Sequence, residues 1–434
     1  MKVDTEIGSK MYGWATDLFP INRSLTGAGV RETLLYFQKE IPEILIHEVA
    51  SGTRANDWVV PEEWNVKEAY LLDLQTGHRF DFKDNNLHLM GYSIPVNEIV
   101  SREELDSHLH TLPDQPNAIP YVTSYYSKEW GFCLSENQKS TLSNGKFQVV
   151  IDSTLEPGVM NYGELLIPGQ SKNEILLSTY ICHPSMASNE LSGPVVALAI
   201  SKLVKQLENK RFSYRILLIP ETIGSIYYIS KNLNEMKENI NAGWVLTCMG
   251  DEGNYSYIPS RKGGTLADRV SIKTLEELGV NYNKYTFLDR GSDERQYCAP
   301  GVDLPVASLM KSKYGSYPEY HTSLDNLNLI CPKGLFGGFE VNRKCLEALE
   351  INLKYKAKIM GEPKMDKRGL RDSLGAPKIL ATDVRNMSNF LMYADGSSLL
   401  DISDIIEINI FEANKIAQTL LKYELIEIVF VFKS

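Results

Sequence analysis

Residues 174–193 read EILLSTYICHPSMASNELSG, and the architecture can be worked out from this stretch outward. Ile175 to Ile181 is a short, apolar, β-rich run of the kind that forms a buried strand, and it ends at His183-Pro184. Pro184 stops the strand and a small polar loop follows. Asn189-Glu190-Leu191-Ser192-Gly193 then leads into an apolar segment, 194–203, that reads as a helix. A lone histidine after a strand is ordinarily a loop hydrogen bonder, so the layout becomes informative only with support from elsewhere in the chain.

Two later segments supply that support. Residues 215–221, RILLIPE, are another buried strand, ending in the carboxylate Glu221, and residues 319–325, EYHTSLD, bring a second imidazole, His321. From 149 to 330 strands and helices alternate: strands at 163–167, 175–181, 216–219, 242–247 and 304–309, with helices at 195–207, 225–232 and 265–278. That alternation predicts an α/β fold, a doubly wound sheet with helices on both faces. Side chains at the carboxyl ends of its strands converge on one crevice. His183, Glu221 and Asp251 all stand at such ends, and imidazole with carboxylate is a metal-ligand set.

At these residues the chain resembles the zinc-dependent aminopeptidases of the co-catalytic type. That family places a His after a strand, an Asp in a D-N-x-S-G turn, a Glu-Glu pair at the end of the next strand, an Asp after a later strand and a closing Y-H-T-x-x-D motif. His183, the N-E-L-S-G turn, Glu221 and Tyr320 to Asp325 match in order and approximate spacing. The resemblance covers residues 1–50 and 120–360, and it is closer still to a bacterial branch that carries an inserted β domain and a C-terminal winged helix. It implies a mixed, doubly wound sheet and hydrolysis of a small peptide or related amide. His183, Glu221 and His321 are then metal ligands, with Glu221 the alternative general base.

The sequence departs from the pattern at several ligand positions. Asn189 stands where the bridging Asp is expected, so Glu190 beside it becomes a candidate ligand. The Glu-Glu pair is reduced to Glu221-Thr222, so ligand and base cannot both come from adjacent residues. The later Asp falls near Thr247-Cys248, which leaves Asp251 as the closest carboxylate, and Ser185 replaces the Asp two residues after the first His. One zinc ion is therefore expected, a second being the alternative. The loop 291–297, GSDERQY, lies where the relatives place a loop beside the substrate. Glu294 is a candidate base there and Arg295 a candidate receptor for a carboxylate.

The remaining chain fits around this core. At 434 residues with 43% hydrophobic content there is material for two or three domains. No apolar run reaches the roughly 18 residues needed to cross a bilayer, and the first ten residues lack signal-peptide regions, so no membrane association and a cytoplasmic location are expected. The six cysteines lie far apart without CxxC pairing, which indicates neither a disulfide scaffold nor a thiolate zinc site. A net charge of −10 argues against a nucleic-acid partner. Residues 8–41 read as two helices joined by the unusual link 22–29, NRSLTGAG, which the resemblance puts near the catalytic face.

Residues 51–119 alternate as strands do and predict an inserted β domain walling the cleft, with His108 and His110 as surface residues. The aromatic stretch 119–133 offers Tyr125 and Tyr126 as substrate-binding candidates, because so many phenols in a polar stretch are awkward to bury completely. Residues 365–434, set off by Pro363 and Gly375, suggest a winged helix in which acidic side chains outnumber basic ones, so contact with a protein or a second copy of the chain is the expected role. The leading expectation is a zinc-dependent hydrolase. Its rival is a catalytically weak or inactive binding protein acting through the winged-helix domain.

Overall fold

The computed structural model describes residues 4–370 and 382–429. The chain divides into two compact units, residues 1–268 with 281–342, and residues 269–280 with 343–434.

The first unit is built on an eight-stranded mixed sheet. Numbered along the chain its strands are β1 (Leu45–Ala50), β2 (Val159–Ile167), β3 (Glu174–Tyr180), β4 (Ser213–Ile219), β5 (Ile240–Val245), β6 (Tyr255–Ile258), β7 (Tyr282–Lys284) and β8 (Val306–Met310). They lie in the order β1-β2-β4-β3-β5-β8-β6-β7. The four central strands, β4, β3, β5 and β8, are mutually parallel. Every residue of β3 and β4 is buried, which is why their sequences run apolar without alternation: a parallel strand covered on both faces has no solvent side. Inside β4, Arg215 is held by Glu174 of β3 (Nε to Oε2 2.6 Å, Nη2 to Oε1 2.9 Å), by Glu164 of β2 and by Glu235 (2.6 Å).

The helix Ser192–Lys205 packs on this sheet and is buried almost throughout. Its second residue has to be glycine: a Cβ on Gly193 would come within 2.2 Å of the Leu246 carbonyl oxygen and 2.5 Å of Thr179 Oγ1. A π-helical turn, Ala187–Leu191, precedes it, and such widened turns recur at functional sites.

An insert between β1 and β2 forms a second, antiparallel sheet, with strands in the order Arg79–Asp81, Glu63–Asp73, Lys146–Glu156, Val96–Ser101. Its long central pair joins Glu63–Asp73 to Lys146–Glu156. The insert therefore runs well past 119, and the chain returns to the main sheet at Val159, not at 120. The burial pattern of Lys146–Glu156 alternates along its length, as expected for a sheet with one solvated face. Asp73 fastens its turn, accepting from the backbone N–H groups of Gln75 (2.9 Å), Thr76 (3.2 Å) and Ser143 (2.8 Å) and from Ser143 Oγ (2.8 Å). His108 stacks on Trp130, and His110 lies in a two-residue strand paired with Phe132–Cys133.

Among the described residues the second unit includes the helices Thr382–Tyr393, Leu399–Ile405 and Ile410–Lys422, and a three-stranded antiparallel sheet with Lys354–Ala357 between Asp395–Ser398 and Ile426–Val429. Its central strand comes from before residue 365, so the module starts earlier than expected. Gly375 and the end of the expected last strand, residues 430–432, lie outside the described residues. No helix among the described residues is long and apolar enough to cross a membrane. All six cysteines are free, five of them buried.

Candidate active site

The loops after β3, β4, β5 and β8 meet at one end of the main sheet. Four non-glycine residues on these loops have positive φ, Ser185 (44°), Thr222 (66°), Cys248 (52°) and His321 (55°), and so does Tyr125 (42°) of the insert. Each such conformation costs of order 1–3 kcal/mol, and their clustering at strand ends is the signature of a site held in shape by its surroundings.

His183 is the centre of the cluster. Its Nδ1 lies 2.8 Å from Glu190 Oε2 and its Nε2 lies 3.6 Å from Glu221 Oε2. Glu190 is placed by the π-turn, and that turn is fixed from the far side of the cleft by Asp325, which accepts from the N–H groups of Ala187 (3.1 Å), Ser188 (2.6 Å) and Asn189 (2.9 Å). Behind Glu190 stands Arg23, only 1% exposed, with Nε 3.7 Å from Glu190 Oε1 and 3.1 Å from the His183 carbonyl oxygen, to which it donates. Glu190 thus engages His183 at Nδ1 and leaves Nε2 turned toward Glu221.

His321 arrives on the loop after β8. Its ring centroid is 5.5 Å from that of His183, with Tyr320 stacked on one face at 3.9 Å. Tyr121 fills the angle between the two imidazoles, 5.3 Å from His183 and 5.2 Å from His321. Its backbone N–H donates to the His321 carbonyl, and its hydroxyl lies 3.0 Å from that of Tyr125. The insert reaches the same place through Asn86, whose Nδ2 donates to Ser185 Oγ at 2.8 Å.

Burial sets the charges. It pushes His183 down to about 3, helped by Arg23, and His321 down to about 3, helped by His183. Both imidazoles are neutral at physiological pH, the form that coordinates a cation. Glu221 is pushed up to about 8 by burial and then by the neighbouring Asp293, with Arg295 opposing, although 20% of its side chain faces the cleft. Burial also raises Glu190 to about 8 against the pull of Arg23, and it lifts the Cys182 thiol well above its usual range.

The other sequence candidates separate. Glu294 is fully buried and saturated: Oε1 accepts from Gly291 N–H (2.8 Å), Ser292 N–H (3.1 Å) and Tyr314 hydroxyl (2.6 Å), and Oε2 from Ser308 Oγ (3.2 Å). Such a carboxylate pins its loop and is not placed to take a proton from substrate water. Asp251 closes its own turn, accepting from Gly253 N–H (2.6 Å) and Ser312 Oγ (2.8 Å), and joins neither histidine in a ligand group. Tyr126 is half exposed and donates to the Val59 carbonyl, away from the imidazoles, whereas Tyr125 reaches the site through Tyr121. Glu190 contacts His183 at the nitrogen turned away from Glu221, as a partner that orients the ring. Arg295 stands next to Glu221 in space, donating from Nη2 to Thr222 Oγ1 at 2.7 Å.

Residues 12–352 match the family described as a domain of unknown function, DUF4910. The chain belongs to the DUF4910 family. Residues 354–428 match a winged helix-turn-helix family, in keeping with the sheet strand at 354–357. Across 98% of both chains this DUF4910 protein is 42% identical to a Clostridium acetobutylicum protein provisionally named for polysaccharide biosynthesis, with an aminopeptidase-like domain. It is also similar to the crystal structure of a provisionally assigned peptidase from Clostridium acetobutylicum (TM-score 0.91, 41% identity, 97% of this chain and 96% of that one). The zinc aminopeptidase BSAP of Bacillus subtilis shares the fold at 11% identity (TM-score 0.58, 80% of this chain and 96% of that one). The mixed α/β sheet is thus that of aminopeptidase structures, followed by a winged helix.

Sequence reading missed four residues that shape this DUF4910 site: Arg23, Tyr121, Cys182 and Asp293. Arg23 lay in the 22–29 link, whose two glycines were its visible oddity, and Tyr121 within the aromatic stretch. Cys182 and Asp293 gave no signal, because a cysteine beside a buried strand and an aspartate in a charged loop look ordinary. Asp293 accepts at Oδ1 from Thr222 N–H (2.8 Å) and Ser225 Oγ (2.8 Å).

Proposed function

We propose that this chain is a single-zinc, aminopeptidase-like hydrolase of a small amide, with His183 Nε2, His321 and Glu221 as the ligand set. The observation that carries the reading is the meeting of two neutral imidazoles and one carboxyl at the strand ends of an aminopeptidase fold, two histidines and a glutamate being a known catalytic zinc set. A zinc ion held there supplies Lewis acidity toward an amide carbonyl and toward water. The chain's own residues orient and enclose: Glu190 and Arg23 fix the His183 ring, Tyr121 and Tyr320 wedge and stack the imidazoles, and the insert limits access of solvent.

The donor set fits one ion and not two. Asn189 Oδ1 is taken by the Tyr180 hydroxyl at 2.8 Å, Thr222 has no charge, and both oxygens of Asp325 are committed to the π-turn and to Tyr317. Among the described residues the set whose ligand atoms already lie within 4.8 Å of one another is Cys182, His183 and Glu190, so His321 and Glu221 would have to close on an ion with His183; the tighter set is nevertheless a poorer place for a cation. It would have to break the His183–Glu190 hydrogen bond and deprotonate a thiol that burial keeps protonated.

The name of the Clostridium relative makes a sugar-linked amide from polysaccharide assembly the substrate class to test beside peptides. The winged-helix module, with its acidic balance, is proposed to contact a protein or a second copy of the chain. The test is zinc analysis of wild type and Glu221→Gln, beside turnover on amino-acyl anilides and N-acylated amino sugars. One zinc per chain with measurable turnover is expected, and Glu221→Gln should lower zinc affinity. Retained zinc with turnover reduced about 10²–10⁴-fold would instead make Glu221 the base. Wild type that takes up no zinc after soaking would return the chain to the class of binding proteins.

A further inference from the structure

The charge of Arg295 is felt by Glu221 and Asp293, yet the guanidinium closes on neither. It forms no ion pair with any carboxylate among the described residues, its Nη2 donates to the neutral hydroxyl of Thr222, and its Nε is buried with no acceptor. A guanidinium N–H with no protein acceptor in a half-buried position is open to water or to a ligand.

Its surroundings fix it in place. The two residues before it hold the loop rigidly: Asp293 is tied to Thr222 and Ser225, and Glu294 to Gly291, Ser292, Ser308 and Tyr314. Gly291 admits this packing because a Cβ there would meet the Tyr314 ring at 2.6 Å. The guanidinium is thereby set beside Glu221, one residue from Thr222, on the same side of the cleft as the carboxyl that faces the imidazoles. A planar donor fork fixed in advance loses little freedom on binding, and its natural complement is a carboxylate.

We infer that Arg295 is the specificity-determining receptor for a carboxylate on the substrate, so that the preferred amide carries a carboxylate close to the bond presented to His183, Glu221 and His321. This rests on the hydrolase reading for the word substrate, but the binding itself does not.

The experiment is binding of N-acetyl amino acids, their carboxamides and inorganic phosphate to the full-length zinc-loaded protein, by calorimetry and by the Arg Nε–H resonances. Wild type should bind the carboxylates at least about tenfold tighter than the carboxamides, with one Arg Nε–H resonance shifting on titration. Arg295→Gln should bring the two within about twofold, and Arg295→Lys should keep part of the preference. An equal affinity for carboxylate and carboxamide in wild type, or a preference that survives in Arg295→Gln, overturns the inference. Phosphate competing as strongly as the carboxylates overturns the carboxylate assignment in favour of a general anion site. A carboxylate preference in protein that hydrolyses nothing supports Arg295 and sinks only the hydrolase reading, so the two failures are distinguishable.

Discussion

Replacing Glu294 separates a loop-pinning role from a catalytic one. Its side chain accepts four hydrogen bonds in a site with no solvent exposure. Glu294→Ala removes all four and leaves a cavity; at about 1 kcal/mol per bond, with the lost packing added, the cost is about 4–5 kcal/mol. Glu294→Gln keeps a carbonyl oxygen where Oε1 accepts three of the bonds, and its amide can donate to Ser308 Oγ after the hydroxyl rotates. What is lost is the charge assistance to three donors, about 1–2 kcal/mol in total. Urea denaturation of wild type and both variants measures these differences. Turnover should track the pin: Glu294→Gln should stay within about threefold of wild type, and Glu294→Ala should lose the Arg295-dependent carboxylate preference. A drop of about 10² or more in Glu294→Gln at unchanged stability would restore Glu294 as a proton acceptor and refute the reasoning.

Arg215→Met should destabilise the first unit by about 3–5 kcal/mol in urea denaturation, because the buried Glu174 and the partly buried Glu164 would be left without their cation; a loss below about 1 kcal/mol would show that they neutralise freely. Asp73→Ala should cost about 2–4 kcal/mol through the four donors it abandons. Burial pushes Asp73 up, but the hydrogen bonds from Ser143, Gln75 and Thr76 outweigh it and leave the carboxyl at about 2, below its unfolded value of 3.8. Its contribution is therefore fully present above about pH 4 and fades as pH falls through 2, so the stability gap between wild type and Asp73→Ala should narrow on acidification over that window.

What could be read in the sequence was what periodicity and strand-end chemistry encode. β3 and β4 are continuous apolar runs, and both end at chemically distinctive residues, His183 and Glu221. The insert was legible as β structure but not in extent. Lys146–Glu156 alternates perfectly well as a strand, yet nothing local says that its partner is Glu63–Asp73 across the whole insert and not the main sheet that follows. The charged triplet Asp293-Glu294-Arg295 misleads for a related reason. Composition suggests a solvated loop, whereas two of the three side chains are buried by tertiary partners, Thr222 with Ser225 and Tyr314 with Ser308. Arg23 and Glu190 are likewise intelligible only as a pair, and they are far apart in the chain.

These placements give the departures from the aminopeptidase pattern a common electrostatic sense. An amide replaces the bridging carboxylate at Asn189 and is locked by the Tyr180 hydroxyl, a hydroxyl replaces the second glutamate at Thr222, and that hydroxyl receives a guanidinium N–H from Arg295. Each change alone would merely weaken a second cation. Together they lower the negative charge available to a second cation: neither Asn189 nor Thr222 is a carboxylate, and Arg295 adds a positive group. For a separation near 6 Å and an effective dielectric of about 20, a dication beside a guanidinium is disfavoured by about 5 kcal/mol, enough to cost several thousandfold in affinity. The same positive group attracts an anion. On the proposed reading, the side of the cleft that disfavours a second metal is the side where Arg295, on the loop fixed by Asp293 and Glu294, would hold a substrate carboxylate, so the three changes act on both properties together.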